Sequence, residues 1–389
     1  MEGCGVEMVY TQIVKGRFLS RPNRFVVWME IGGDRVKVHM PNPGRMRELL
    51  FPGVTLYAVP HRKEGGATSM RVIGAERDGA VIPLDTTHAN DVAEWLVSHG
   101  KIPGWEDCRV VRREVTMGDS RFDLLLARGE EQFPVEVKSC TLFGRRGAMF
   151  PDAVTARGRK HILHLADLGA AGKRAGLLIL VEWDRAEWFL PDYHTDPALA
   201  EAFCQAASHV EIKPVALGWE ETFRIPDRAR LLPVPLPAVR EEMGNHGDYL
   251  IVLHLETEQD IEIGSRGQMH FPAGYYVYAG SAKRNLDQRI AHHQRLRKRK
   301  HWHMDYLRPF ATWVGAVPIR TADDLEHRLA AAVRMIADWE IPGFGAMDCR
   351  CGTHLFGFYE NPMHLASFVR LEEDFRINRL DEKIRAPGW

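Results

Sequence analysis

Asp123, Glu136 and Lys138 have the types and the spacing to do chemistry together. They lie in Ser120-Arg-Phe-Asp-Leu-Leu-Leu and Pro134-Val-Glu-Val-Lys-Ser, two apolar runs joined by a short polar stretch. Two carboxylates held side by side repel each other unless a divalent cation lies between them, and Mg²⁺ (or Mn²⁺) is usually bound by one or two carboxylates, waters and substrate phosphate. An ammonium beside that cation lowers the cost of making hydroxide and stabilises charge on a phosphate in flight. The chemistry is metal-dependent phosphodiester hydrolysis. The competing reading is an exposed hairpin in which Glu136 and Lys138 are solvated charges, because such alternation is common in half-buried strands.

Two strands and a helix must position this set. Phe133, Val135 and Val137 alternate with Glu136 and Lys138, so a period of two sends both charges to one face of a strand and the apolar set to the core. Residues 122–126 read as the partner strand and 127–132, with Gly129 and two glutamates, as the turn that brings Asp123 beside Glu136. Downstream, Phe150-Pro-Asp-Ala-Val-Thr-Ala-Arg-Gly-Arg-Lys-His-Ile-Leu-His-Leu begins with a Pro and an Asp suited to a helix start and then runs with helical spacing. Arg157, Lys160, His161 and His164 fall at i, i+3, i+4 and i+7. They form a basic stripe suited to a phosphate backbone, with a solvated face as the plain alternative. Gly158 inside that helix costs roughly 1 kcal/mol relative to Ala, which suggests a close approach to its backbone.

With these motifs in place the chain resembles the sugar fermentation stimulation protein family, SfsA. Pro41-Asn-Pro-Gly-Arg-Met, Arg121-Phe-Asp, Val135-Glu-Val-Lys-Ser and the segment from Phe150 to His161 stand in the family's order and spacing, over roughly residues 10–220. The resemblance implies an α/β multidomain protein: an N-terminal OB-like β-barrel followed by a PD-(D/E)XK nuclease-like α/β domain, with DNA binding as the activity. Asp123, Glu136 and Lys138 then fall on the nuclease motif. Glu94, in Asn90-Asp-Val-Ala-Glu-Trp-Leu, matches the acidic metal ligand that many such nucleases bring from their first helix.

Composition agrees with this picture. A chain of 389 residues with 45% hydrophobic content suits two or three domains with substantial cores. A net charge of −1 leaves nucleic-acid binding to the distribution of charge rather than its sum. Six cysteines, and an opening segment without a basic start or apolar core, suggest reduced thiols and a cytoplasmic protein. No apolar run reaches the roughly 18 residues of a membrane span, so no membrane role is expected. Residues 24–30, 35–40, 55–59 and 69–73 are short strand-like runs separated by turn residues. They suit a barrel whose groove could hold single strands, with Arg17, Phe18, Arg24, Arg45 and Arg47 available to line it.

Beyond Phe223, Leu232-Pro-Val-Pro-Leu-Pro favours extended, semi-rigid backbone and reads as a linker. After it, Gly247-Asp-Tyr-Leu-Ile-Val-Leu-His-Leu and Gly274-Tyr-Tyr-Val-Tyr-Ala-Gly-Ser-Ala read as two strands, with a helix starting near Lys283. This part resembles the GIY-YIG nuclease fold, in particular a GIY-YIG-like α+β domain of unknown function. The resemblance puts Tyr249, Tyr278, Arg289 and Glu326 on catalytic positions, although the two tyrosine motifs stand farther apart than in the typical nuclease. Lys283, Arg284, Arg289, Arg295, Arg297, Lys298, Arg299 and Lys300, read as one helix against a single acid, Asp287, make a candidate phosphate-binding surface. Cys349, Cys351 and His354 could hold zinc but lack a fourth ligand, so structural thiols are the alternative.

The expected organisation is an OB-like domain over residues 1–85, a nuclease-like domain over 86–222, a Pro-rich linker over 223–247, a GIY-YIG-like domain over 248–360 and a tail over 361–389. Two functions stay open. One is a Mg²⁺-dependent DNA nuclease; the other is a non-catalytic DNA-binding regulator of sugar metabolism genes on a nuclease scaffold.

Overall fold

The computed structural model describes residues 10–61, 68–346, 349 and 351–385. Residues 1–9, in the opening segment read as lacking a basic start and an apolar core, lie outside them. The chain divides into two compact units, residues 1–236 with 380–389, and residues 237–379. Among the described residues no helix is long and apolar enough to cross a membrane.

The first unit begins with a barrel. Strands β1 (Val14–Asn23), β2 (Val26–Ile31), β3 (Asp34–His39), β4 (Thr55–Pro60), β5 (Met70–Arg77) and β6 (Ala80–Pro83) pair in the order β3-β2-β1-β4-β5-β6. A further pairing of His39 with Arg71 joins β3 to β5 and closes the sheet on itself. Val27, Met29, Val38, Leu56, Val72 and Ile82 fill the interior. Phe18, expected in a binding groove, is 4% exposed and belongs to this core. Its place follows from alternation along β1, where Arg17 is outward and Phe18 inward.

A mixed sheet follows. Helix α1 (Ala89–Ser98) leads to β7 (Arg109–Met117), β8 (Ser120–Arg128) and β9 (Glu131–Cys140), and then to two short strands, β10 (Leu142–Phe143) and β11 (Gly147–Phe150). Helix α2 (Ala156–Ala170), β12 (Gly176–Val181), β13 (Trp188–Pro191), α3 (Pro197–Ala206), β14 (Glu211–Ala216) and β15 (Arg230–Leu231) come next; β10, β11 and β13 form a small sheet of their own, and the other six strands form the mixed one. The order is β15-β14-β12-β9-β8-β7, with β12 parallel to both β9 and β14. Every residue of β12 is buried, as an apolar run at the centre of a sheet covered on both faces should be. Val135, Val137, Leu178 and Leu180 pack with Val92 and Leu96 of α1, while Leu177 and Ile179 pack with Ile162, Leu165 and Phe203 of α2 and α3.

Two sequence expectations change here. The start of α2 is not at Pro151 and Asp152 but at Thr155, whose side chain accepts the Gly158 N–H. A Cβ on Gly158 would lie 2.9 Å from Thr155 Cγ2, so the glycine makes room for the cap, and it also lines a cleft beside Arg157. The stretch read as a linker is also partly folded. Phe223, Ile225 and Leu232 are buried, β15 pairs with β14, and helix α4 (Leu236–Glu242) follows. Pro233, Pro235 and Pro237 fall between these elements or in the first turn of α4, where a missing N–H is tolerated.

In the second unit, β16 (Gly247–Leu255), a hairpin of β17 (Gln259–Glu262) and β18 (Gln268–Phe271), β19 (Gly274–Ala282), α5 (Leu286–Gln294) and α6 (His303–Leu307) come first. Strand β20 (Thr312–Arg320), helix α7 (Glu326–Arg334), β21 (Trp339–Glu340), β22 (Leu355–Phe358) and helix α8 (Ala366–Glu373) follow. The five-stranded sheet runs β20-β16-β19-β22-β21. The hairpin accounts for the long interval between the two tyrosine motifs, because β16 and β19 are still direct neighbours. Helix α5 ends at Gln294, so Lys283 and Arg284 precede it, Arg295–Lys300 follow it, and the cationic residues are not one helix. Residues 361–379 are no tail: Phe368, Val369, Leu371 and Ile377 are buried.

Candidate functional site

The paired stretch of β8 and β9 ends at Leu124 and Val135. One position beyond stand Asp123 and Glu136. There the ladder opens, and the Asp123 carboxylate replaces a backbone partner by accepting the Val137 N–H at 2.8 Å. Its other oxygen accepts from Asn90 Nδ2 of α1 at 3.0 Å. Glu136, on the face that meets α2, is 1% exposed and so is not a solvated charge. Its Oε1 accepts from His161 Nδ1 at 2.6 Å and from Lys138 Nζ. Its Oε2 is buried and has no hydrogen-bond partner. A buried carboxylate oxygen without a donor costs several kcal/mol unless something positive completes it.

These groups line a cleft of about 560 Å³. The barrel contributes Arg24, Asn42, Pro43 and Gly44 to its wall, and the approach to α2 contributes Asp152, Val154 and Arg157. The Pro41-Asn-Pro-Gly loop is held in place by Arg21, whose guanidinium donates to the carbonyls of Asn42, Gly44 and Arg45. A Cβ at Gly44 would come within 2.3 Å of Asp152 Oδ2, so only glycine lets the loop close on that carboxyl. Burial raises the Asp152 carboxyl above its ordinary value, with the N–H groups of Met46 and Arg45 acting against the rise. Behind the cleft, Ser139 Oγ and Trp219 Nε1 reach the two oxygens of Glu182, at 3.0 and 2.7 Å. Burial pushes that carboxyl up to about 8.

The predicted residues divide accordingly. Asp123, Glu136 and Lys138 are brought together, and Arg24 and Arg157 line the same cleft. Arg17 and Arg45 are exposed but do not line it. Lys160 is paired with Asp119 at 2.9 Å. His161, expected on a basic surface, is 6% exposed and serves Glu136, because the α2 stripe turns one edge inward against the sheet. Glu94, expected as a metal ligand, pairs instead with Arg113 of β7 and does not line the cleft. The α1 residue that reaches Asp123 is Asn90, one helical turn earlier. Asn90, Asn42 and Asp152 are not among the expected site residues, although all three lie within the motifs that carry the resemblance or flank Glu94.

In the second unit Tyr249 and Tyr278 face α5 from neighbouring strands, their rings 6.4 Å apart. Tyr249 Oη lies 3.0 Å from His293 Nε2. Burial raises both phenols well above their ordinary value, with the other charged neighbours, Arg289 and Glu326 among them, as smaller influences. Burial, then Lys298, pushes His293 down to about 3 and keeps it neutral. Arg289 stacks over Trp302 at 4.3 Å, and Glu326 accepts from Ser281 Oγ. Lys283, Arg284 and Arg295 are exposed. Lys298, expected at phosphate, is paired with buried Asp305 at 2.6 Å and donates to the carbonyls of His292 and His293. The chain turns sharply after α5, and Lys298 closes that turn from inside.

Three family models match the chain: the SfsA N-terminal OB domain over residues 19–84, the sugar fermentation stimulation protein RE domain over 87–223, and a domain of unknown function, DUF123, over 248–377. The chain is 37% identical over 216 residues to a sugar fermentation stimulation protein homolog of Desulfitobacterium hafniense, 55% of this chain and 92% of that one. It is 42% identical over 192 residues to a homolog from Pyrobaculum arsenaticum, 49% of this chain and 81% of the relative. Among solved structures, Pyrococcus furiosus SfsA in complex with Ca²⁺ matches with a TM-score of 0.54 at 30% identity, over 60% of this chain and 99% of that chain.

Proposed function

The chain belongs to the sugar fermentation stimulation protein family, and from that premise we propose that its first unit is a PD-(D/E)XK-type phosphodiesterase acting on DNA, with Mg²⁺ or Mn²⁺ held at Asp123 and Glu136. The observation that carries the reading is the buried, partnerless Glu136 Oε2 in a cleft it shares with Asp123. The fit to a hard divalent cation is good, since both groups offer carboxylate oxygen and each Asp123 oxygen retains a lone pair beyond its one hydrogen bond. A relative carries Ca²⁺, a cation of the same oxygen-seeking class.

When bound, the cation supplies charge neutralisation at the phosphate and a water of lowered pKa. The protein's own part is positioning. His161 Nδ1–H fixes Glu136 through Oε1 and leaves Oε2 to the cleft; Asn90 and the Val137 N–H fix Asp123. Lys138 Nζ keeps a positive charge beside Glu136, able to turn toward a phosphate oxygen or the attacking water. Arg24 and Arg157 at the cleft wall suit the flanking phosphates, and Phe25, 51% exposed next to Arg24, suits a stacked base. The second unit is read as a GIY-YIG-like domain, on the strength of two tyrosines on adjacent strands with Arg289 and Glu326 near them. Its exposed Lys283, Arg284 and Arg295 suit DNA affinity.

One observation favours the non-catalytic regulator instead: Lys138 Nζ is already engaged by Glu136. Cleavage of duplex and single-stranded DNA with Mg²⁺ and Mn²⁺ separates the two. Glu136→Gln should lower metal-dependent cleavage by more than about a hundredfold while DNA binding stays within about threefold. A wild-type chain that binds DNA and never cuts it, with either metal, leaves the regulator.

A further inference from the structure

A second set of ligands converges in the other unit, and its chemistry is different. His327 is the second residue of α7; Cys349, Cys351 and His354 precede β22. One ligand atom from each of the four lies within 4.8 Å of every other. Cys349 Sγ is 3.3 Å from His354 Nε2, and Cys351 Sγ is 3.3 Å from His327 Nδ1. A tetrahedral zinc with Zn–S of about 2.3 Å and Zn–N of about 2.0 Å sets its S–N edges near 3.5 Å. Two edges are therefore already at coordination spacing, and the other four, none longer than 4.8 Å, need contract by no more than about 1.5 Å. Two separate thiol–imidazole hydrogen bonds would account for each pair. They would not account for both pairs meeting at one point.

The far side of His354 gives an independent indication. The ring is 1% exposed. Its Nδ1 lies 3.2 Å from the Ala279 carbonyl and 3.4 Å from Glu326 Oε1. A proton on Nδ1 is thus held by two acceptors, which leaves the Nε2 lone pair turned to the thiols. Metal-bound histidines are oriented in this way, by a carbonyl or carboxylate on the other ring nitrogen. Both cysteines are free thiols. Two sulfurs and two imidazoles select a zinc-type cation and reject the oxygen-seeking metals suited to Asp123 and Glu136. From sequence the fourth ligand was missing, because His327 stands on a helix well before the Cys-x-Cys-x-x-His run.

We propose that His327, Cys349, Cys351 and His354 form a closed zinc site that ties the segment before β22 to the start of α7. All four positions are filled by protein, which is the arrangement of a structural site. Because His354 also contacts Glu326, a metal bound at His354 would help hold that carboxylate, which also accepts from Ser281 Oγ.

The test is metal content and spectroscopy on the untagged full chain. About one zinc per chain is expected after purification, or after reconstitution of metal-free protein, falling below about a tenth in Cys349→Ser/Cys351→Ser. Co²⁺ in place of zinc should give the intense visible bands of a tetrahedral site and a near-ultraviolet thiolate charge-transfer band, which Cys351→Ser removes. His327 is exposed, so His327→Ala keeps the fold even if the cysteine variant does not; it should weaken zinc binding by about a hundredfold or more. A wild-type chain that takes up neither zinc nor Co²⁺, or variants that bind both as the wild type does, would overturn the proposal.

Discussion

Glu136 shows how far a single residue could be anticipated. Its alternation with Val135 and Val137 placed it on the right face, but alternation carries no information on what covers that face. The covering residue is His161, whose helical spacing with Arg157 and Lys160 made it look like one more surface cation. If His161 holds Glu136 for a cation, His161→Ala should weaken Mn²⁺ binding, measured by calorimetry, by about 10- to 100-fold. Unchanged affinity would reduce His161 to a space-filling residue. Glu182 carries a different consequence, legible in no motif. Its carboxyl is raised from the usual 4.5 to about 8 by burial, so folding favours the protonated form. Its contribution to stability is complete below about pH 4.5 and is lost as pH rises toward 8, which makes the folded state roughly 3 kcal/mol less stable at pH 7 than at 4.5 through this group. Glu182→Gln, which can still accept from Trp219 and donate to Ser139, should flatten the urea-unfolding stability across that range. An equally steep slope in the variant would place the titration elsewhere.

At the scale of elements, the strands were the readable part and the helix ends were not. Strand β9 and its partner β8 followed from alternation and from Gly129 in the turn, and β12 from an unbroken apolar run. The start of α2 was misplaced by several residues because Pro151 and Asp152 mimic a helix start, while the working cap is Thr155. Thr155→Ala should therefore cost about 1 kcal/mol in chemical denaturation. If Asp152→Ala alone destabilises α2 and Thr155→Ala does not, the helix begins where the sequence first suggested. The cationic stretch after Lys283 was misread for a related reason. Lys and Arg are good helix formers, so nothing local ends α5 at Gln294; the turn that does so depends on Lys298 reaching Asp305, a tertiary contact.

For the whole molecule, the family models fall on the barrel, the mixed sheet and the second unit in turn, and each was foreseeable from motifs spread along the chain. The cleft was not, because Asn42 and Gly44 meet Asp152 across more than a hundred residues of sequence. The same distinction governs the cations of the second unit. Arg284→Ala and Arg295→Ala in the full chain should each flatten the dependence of log K on log salt by up to about 0.9, as a lost phosphate contact does. Lys298→Ala should instead lower stability by about 3 kcal/mol, since it leaves Asp305 buried without its ion pair. A salt slope untouched by the two arginine substitutions would remove this surface from DNA binding. The central claim, a divalent cation shared by Asp123 and Glu136, is tested most directly by anomalous diffraction from crystals of the full chain grown with Mn²⁺. A peak in the cleft at bonding distance, roughly 2.1–2.3 Å, from Glu136 Oε2 and from an Asp123 oxygen is the expected result. A well-ordered cleft with no such peak at saturating Mn²⁺ would contradict it.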